Sequence, residues 1–289
     1  MRKLFFIFTV AILTLTSCMK SDEDGNSLTY RRPCYNRVVK AGSEQATFDM
    51  IMCEYKLDFD NTLCTFTFED VAFGTEEKTS ITIEGIPFRQ TEKGGYVFSK
   101  ISDFIPVLVN GVKSNDWFVQ GFSGTWDLLG TATASTQFFQ LDFSISANGV
   151  LYKVQSNMVV YTFLSCVNNI TNSEGEIKGF KEGAYQITFN PVTKRSNIVI
   201  NKARLSLDNS LSVDNWEIRN VYTEPTYNGF EFKANPDSAF VPKQNGYDVP
   251  NTLIKIVSGN VYIPAKSLTM RLLVNEVQVD VRGEMGEDK

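Results

Sequence analysis

The sequence predicts an all-β protein built of two tandem antiparallel β modules, each a barrel or a sandwich, behind a secretion signal. Three observations predict it. Apolar and polar residues alternate with a period of two through most of the chain, and helical spacing is nearly absent. Asn148-Gly149 stands between two alternating runs, the strongest short hairpin signal. One programme of strands also runs twice. Tyr55-x-Leu57-x-Phe59 is matched by Tyr185-x-Ile187-x-Phe189, and Phe66 and Phe68 by Ile198 and Ile200. Ile81 and Ile83 correspond to Trp216 and Ile218, and Gly95-Tyr96-Val97-Phe98 to Gly229-Phe230-Glu231-Phe232. Val150, Tyr152 and Val154 correspond to Val277, Val279 and Val281. Each copy spans about 110 to 130 residues, an ordinary domain size.

The elements follow in order. Arg2 and Lys3 precede an apolar run from Leu4 to Leu15, and Leu15-Thr16-Ser17-Cys18 places small residues before a cysteine. This is a secretion signal, too short for a stable membrane span. Its end resembles a lipobox, which implies cleavage before Cys18 and acylation of Cys18. Residues 1–17 are then the lipoprotein signal peptide and 18–34 a lipidated tether. Module 1 is expected at 35–156 and module 2 at 157–285, one strand running from the first into the second near 154–169. Within module 1, 47–59 and 62–73 read as a hairpin, and 79–86 as a strand ended by Pro87, which cannot donate to a ladder. Residues 96–99 form the next strand; 101–109 is ambiguous, with Ser102-Asp103 suited to cap a short helical turn. Residues 117–126 read as a bent strand, and 137–146 and 150–160 as the hairpin around Asn148-Gly149. In module 2 the segment 235–250 lacks strand periodicity and reads as a long loop.

Four cysteines follow Cys18: Cys34, Cys53, Cys64 and Cys166. An oxidising compartment permits three pairings of them. A turn at Asp60-Asn61 pairs Leu57 with Cys64 and Cys53 with Phe68, which holds Cys53 and Cys64 too far apart to bond. Buried, inert thiols are the default expectation.

Composition excludes several functions. The chain has 289 residues and no histidine, which removes Ser-His-Asp and Cys-His catalysis and the commonest zinc ligand. Carboxylates are plentiful, but no spacing pairs them, so no catalytic residue and no enzyme activity is expected. No calcium-loop motif is present, and no metal or cofactor is expected. The net charge of −5, with no basic run, argues against a nucleic-acid partner.

Lys20-Ser21-Asp22-Glu23-Asp24 after the lipid site resembles the export signal of Bacteroidetes-type surface lipoproteins; it also reads as a solvated charged tether. With the strand pattern, the chain resembles the calycin-like and lipocalin-like surface lipoproteins of that group, although neither module opens with G-x-W. The resemblance implies an outer-membrane, lipid-anchored protein facing the exterior that binds a small hydrophobic or amphipathic ligand. The alternative is a surface adhesin or glycan-binding accessory protein with fully packed modules. Candidate ligand-binding residues are Trp117, beside a loop, and Phe240 and Tyr247 in the long loop. Asp237-Ser238-Ala239 resembles an O-glycosylation site of the same group, which makes Ser238 a candidate modification site.

Overall fold

The computed structural model describes residues 18–21, 26–73, 77–92, 94–102, 104–130, 135–208, 211–234 and 238–285. The signal at 1–17, the acidic cluster at Asp22–Asp24 and Asp237 lie outside the described residues. Among the described residues there is no helix, and the fold is two closed eight-stranded antiparallel barrels in tandem.

The short β1 (Cys18–Ser21) pairs with β2 (Ser27–Lys40). A plain meander follows: β3 (Ala46–Asp58), β4 (Leu63–Val71), β5 (Thr79–Gln90), β6 (Tyr96–Lys100), β7 (Ile105–Val109), β8 (Val112–Gly130), β9 (Ser135–Ala147) and β10 (Val150–Met158). β10 returns to pair with β2 and closes the wall. β6 and β7 share one position, both lying between β5 and β8. The second barrel repeats the plan, with β11 (Val160–Thr171), β12 (Ile177–Lys181), β13 (Ala184–Asn190) and β14 (Arg195–Asn201). A small ladder of β15 (Ala203–Arg204) and β16 (Ser212–Val213) precedes β17 (Trp216–Thr226) and β18 (Gly229–Phe232). The hairpin of β19 (Lys243–Gln244) and β20 (Tyr247–Asp248) joins the edge of β17. β21 (Ile254–Tyr262), β22 (Ser267–Val274) and β23 (Val277–Glu284) complete the wall, and β23 closes on β11. Here β12 and β13 share one position against β11.

All five repeated sequence blocks fall on equivalent strands. Tyr55 and Tyr185 are on the second strand position of their barrels, Phe68 and Ile200 on the third, and Ile81 and Trp216 on the fourth. Tyr96 and Phe230 are on the fifth, and Val150 and Val277 on the last. Val159 alone separates β10 from β11, so the strand that ends one barrel begins the next. The expected inner rows are inner rows: Tyr55, Phe66, Phe68, Ile81 and Ile83 in the first barrel are fully buried, as are Ile187, Phe189, Ile198 and Ile200 in the second.

Turn chemistry explains the hairpins. Asn148-Gly149, Asn110-Gly111 and Asn245-Gly246 all have positive φ at both residues, the twist that two-residue hairpins need. Leu57 does pair with Cys64 and Cys53 with Phe68, around the turn at residues 59–62.

Three expectations are corrected. The first barrel begins at Ser27 rather than at 35, so 27–34 is wall and not tether. Charged Arg31 and Arg32 and Pro33 disguise a strand whose Tyr30, Arg32 and Cys34 alternate inward. Pro87 does not end β5, which runs on to Gln90. The β5–β6 ladder begins at Phe88, so the missing N–H of Pro87 lies just outside it. Residues 105–109 are strand, and Ser102 serves a loop, its Oγ bonded to the backbone of Phe104.

Candidate functional site

The lumens are spanned by their own side chains. In the first barrel, Phe68 on β4 meets Phe143 on the diametrically opposite β9 at 5.4 Å between centroids. Tyr55 stacks on Phe139 across the barrel at 5.2 Å, and Phe66 reaches Phe122 at 4.8 Å. In the second barrel Phe189 stacks on Phe230 at 4.2 Å, and Tyr161 reaches Phe230 from the opposite wall at 5.3 Å. Rings in van der Waals contact across an eight-stranded barrel leave it filled rather than hollow.

Among the described residues, one charged side chain is inside. Arg32 on β2 is 8% exposed and faces the lumen. Its Nη2 donates to the Tyr55 hydroxyl at 2.7 Å and to Gln137 Oε1 at 3.0 Å, and its guanidinium lies over the rings of Tyr55, Trp126 and Phe139. Three π faces replace the absent carboxylate as the electrostatic partner. Its Nε has no protein partner; further along the same lumen face, Asn36 Oδ1 on β2 and Ser156 Oγ opposite it on β10 have none either.

The barrels meet at a seam. One end of the second barrel docks on the outer wall of β2, β10 and β9. Tyr35 points outward from that wall yet is only 3% exposed, because it closes the mouth of the second barrel. Its ring meets Phe189 edge-on at 5.6 Å, and its hydroxyl lies 3.4 Å from that of Tyr161. Burial pushes the Tyr35 phenol up to about 12, and burial with Tyr35 beside it pushes Tyr161 up as well. Around this plug, Arg37 lies over the ring of Tyr227, and Lys266 bonds Asp127 at 2.7 Å while covering Phe138. The turn carrying Tyr227 ends at Gly229, whose φ of +149° and approach to the Val261 carbonyl leave no room for a side chain. The seam encloses about 30 Å³, room for a water or two and not for a ligand.

The larger recess is on the outer wall of the second barrel, a groove of about 400 Å³ beside β18, β21 and β22. Gly259 is its floor, since a side chain there would meet Phe232 and the Thr269 backbone. The Lys233 ammonium bonds Glu231 at 2.6 Å, which raises the lysine above its ordinary value. Thr269 donates to Asn260 at 2.8 Å. Exposed Val257 adds an apolar edge. The groove offers hydrogen-bond donors and acceptors of both charges. No group of three or more metal-ligating side chains occurs among the described residues.

The residues singled out from sequence are not brought together. Trp117 is at the opposite mouth of the first barrel, its N–H given to Asn148 and its ring edge-on to Phe73. Phe240 and Tyr247 belong to the second barrel. Phe240 is half-buried and pairs through its backbone with Ile254. Tyr247 is 80% exposed on the β19–β20 hairpin, which occupies part of the stretch expected to be a structureless loop. Ser238 is half-buried. The seam residues Tyr35, Arg37, Tyr227 and Lys266 were not indicated by sequence. The one trace in the sequence is Cys34-Tyr35, two apolar residues in a row; in the structure Cys34, Tyr35 and Asn36 are all buried, against strict alternation.

No protein-family model matches the chain, and no curated protein does. Among solved structures, intact Ap-TbpB, described with its N and C lobes, aligns over 89% of this chain and 76% of its own at 9% identity. The TM-score of that alignment is 0.21, too low to carry an inference, and the two-barrel architecture stands on the strand ladders alone.

Proposed function

We propose that this chain is a lipid-anchored cell-surface protein without catalytic activity that binds an external partner, a protein or a glycan, on its outer walls and loops. The contact of rings across both lumens carries this reading, because an interior spanned by Phe68–Phe143 and Phe189–Phe230 leaves recognition to the exterior. The groove around Gly259 and the exposed Tyr247 hairpin are exterior features of suitable chemistry. The Cys18 signal supports the anchor. A second reading, capture of a small amphipathic molecule in the first lumen, draws on one observation: the unpartnered Arg32 Nε, Asn36 Oδ1 and Ser156 Oγ inside it.

Native mass spectrometry of the purified protein separates the two. A bare protein mass is expected, and a retained amphiphile would favour the second reading. Cys18→Ala is expected to move the protein out of the membrane fraction; unchanged fractionation would remove the anchor from the proposal.

A further inference from the structure

Three of the four buried thiols lie together. Cys34, Cys53 and Cys64 sit on the neighbouring strands β2, β3 and β4, all facing the first lumen and all fully buried. Cys34 is opposite Ile51, and Cys53 is opposite Arg32, so Cys34 and Cys53 are diagonal neighbours, one residue pair apart on the same face. Cys53 and Cys64 are two pairs apart. We infer that Cys34 and Cys53 form a cross-strand disulfide, made while the β2–β3 hairpin folds and sealed in when the barrel closes.

This rests on the secreted reading proposed above, since an oxidising compartment is needed for the bond to persist. Diagonal strand neighbours stand about 7–8 Å apart at Cα, with Cβ atoms closer, so bridging asks the two strands to close by about 2 Å, with no register slip. Cys34 and Cys53 are both free thiols in the structure, and the Cys34 thiol is close enough to raise that of Cys53. Timing follows from burial. In the closed barrel, burial and then the Cys34 thiol hold Cys53 well above the usual thiol range, which leaves it inert. In the open hairpin that burial is absent, and the Arg32 guanidinium facing Cys53 favours its thiolate. The hairpin is local, joined by a turn at residues 41–45, and so forms before the wall is closed by β10.

The chemistry balances with a dithiol–disulfide oxidant. The Cys53 thiolate attacks one sulfur of the oxidant's disulfide, giving a mixed disulfide and one released thiol. Cys34 then attacks the Cys53 sulfur, its own proton lost, and the oxidant leaves as the dithiol with the two electrons and both protons.

The test labels each cysteine of the full chain with a maleimide in denaturant, before and after reduction, and scores them by peptide. It uses protein from the cell envelope and protein refolded with oxidised and reduced glutathione. Cys34 and Cys53 are expected to label after reduction alone, with Cys64 and Cys166 labelling without it. Cys34→Ser should free Cys53, and Cys64→Ser should leave the bridge intact. Free Cys34 and Cys53 in the refolded protein, or a bridge to Cys64, would overturn the assignment. A bridge after refolding with free thiols in the envelope sample would keep the pair and count against the secreted reading instead.

Discussion

The two barrels share a meander and differ in how they are filled and closed. The first is packed with rings, Tyr55, Phe66, Phe68, Phe98, Phe122, Phe139 and Phe143, and seals one end with its own stack of Tyr96, Trp126 and Tyr30. The second puts Ile198 and Ile200 where the first has Phe66 and Phe68, and its mouth is closed by Tyr35, a residue of its neighbour. Their outer walls differ in the same way. The wall of β2, β10 and β9 receives a barrel end, whereas the equivalent wall of β11, β23 and β22 carries Arg271 bonded to Asp280, with exposed Arg282 and Glu284. A charged wall of this kind is poorly suited to receive an apolar barrel end, so the two equivalent walls are not interchangeable.

Four measurements would break or sharpen that contrast. Phe68→Ala should have the largest effect, about 3–5 kcal/mol off the stability of the first barrel, because opposing Phe143 cannot follow the lost ring. A cost under about 1 kcal/mol would show a lumen with room to collapse or a site made for something else. Next, Tyr35→Ala should cost about 2–3 kcal/mol and fall on the second barrel although the residue belongs to the first. Alkali is the non-mutational counterpart. The Tyr35 phenol is raised from 10.0 to about 12, so its contribution is fully present below pH 10 and is lost as the pH rises toward 12. Phenolate absorbance and unfolding followed together should show this seam loosening late; a Tyr35 that ionises near 10 while the barrels stay docked would contradict the plug. The smallest effect belongs to Lys266→Ala. Its pair with Asp127 is partly exposed, and about 0.5 kcal/mol is expected, shrinking with salt. A large, salt-independent loss in a denaturant titration would mean the seam is held by charge rather than by Tyr35.

Much of this comparison was legible in the sequence. The recurrence of Tyr55 at Tyr185 and of Tyr96 at Phe230 placed equivalent strands correctly, because a period of two is imposed by the pleat and survives changes of residue. The register of Leu57 with Cys64 was readable because a tight turn fixes it. The start of β2 was not readable, since Arg32 is charged and its tolerance inside a barrel depends on three rings brought from β3, β8 and β9. Nor was Tyr35: an outward tyrosine on a strand looks like ordinary surface until another domain is set on it. Trp117, singled out beside a loop, gives its N–H to Asn148, a partner across the β8–β9 ladder that sequence spacing does not reveal.

The single residue Val159 between β10 and β11 has a consequence for degradation. Proteases cut where a backbone can be drawn out as an extended, unpaired strip, and modular proteins usually supply such a strip between their units. Here the chain passes from ladder to ladder at Val159, which is 3% exposed, beneath the docked mouth of the second barrel. To be nicked at its middle, the molecule must first peel β10 from β2 or β11 from β13. Digestion should therefore trim its edges and turns and then consume it whole, without passing through a stable half.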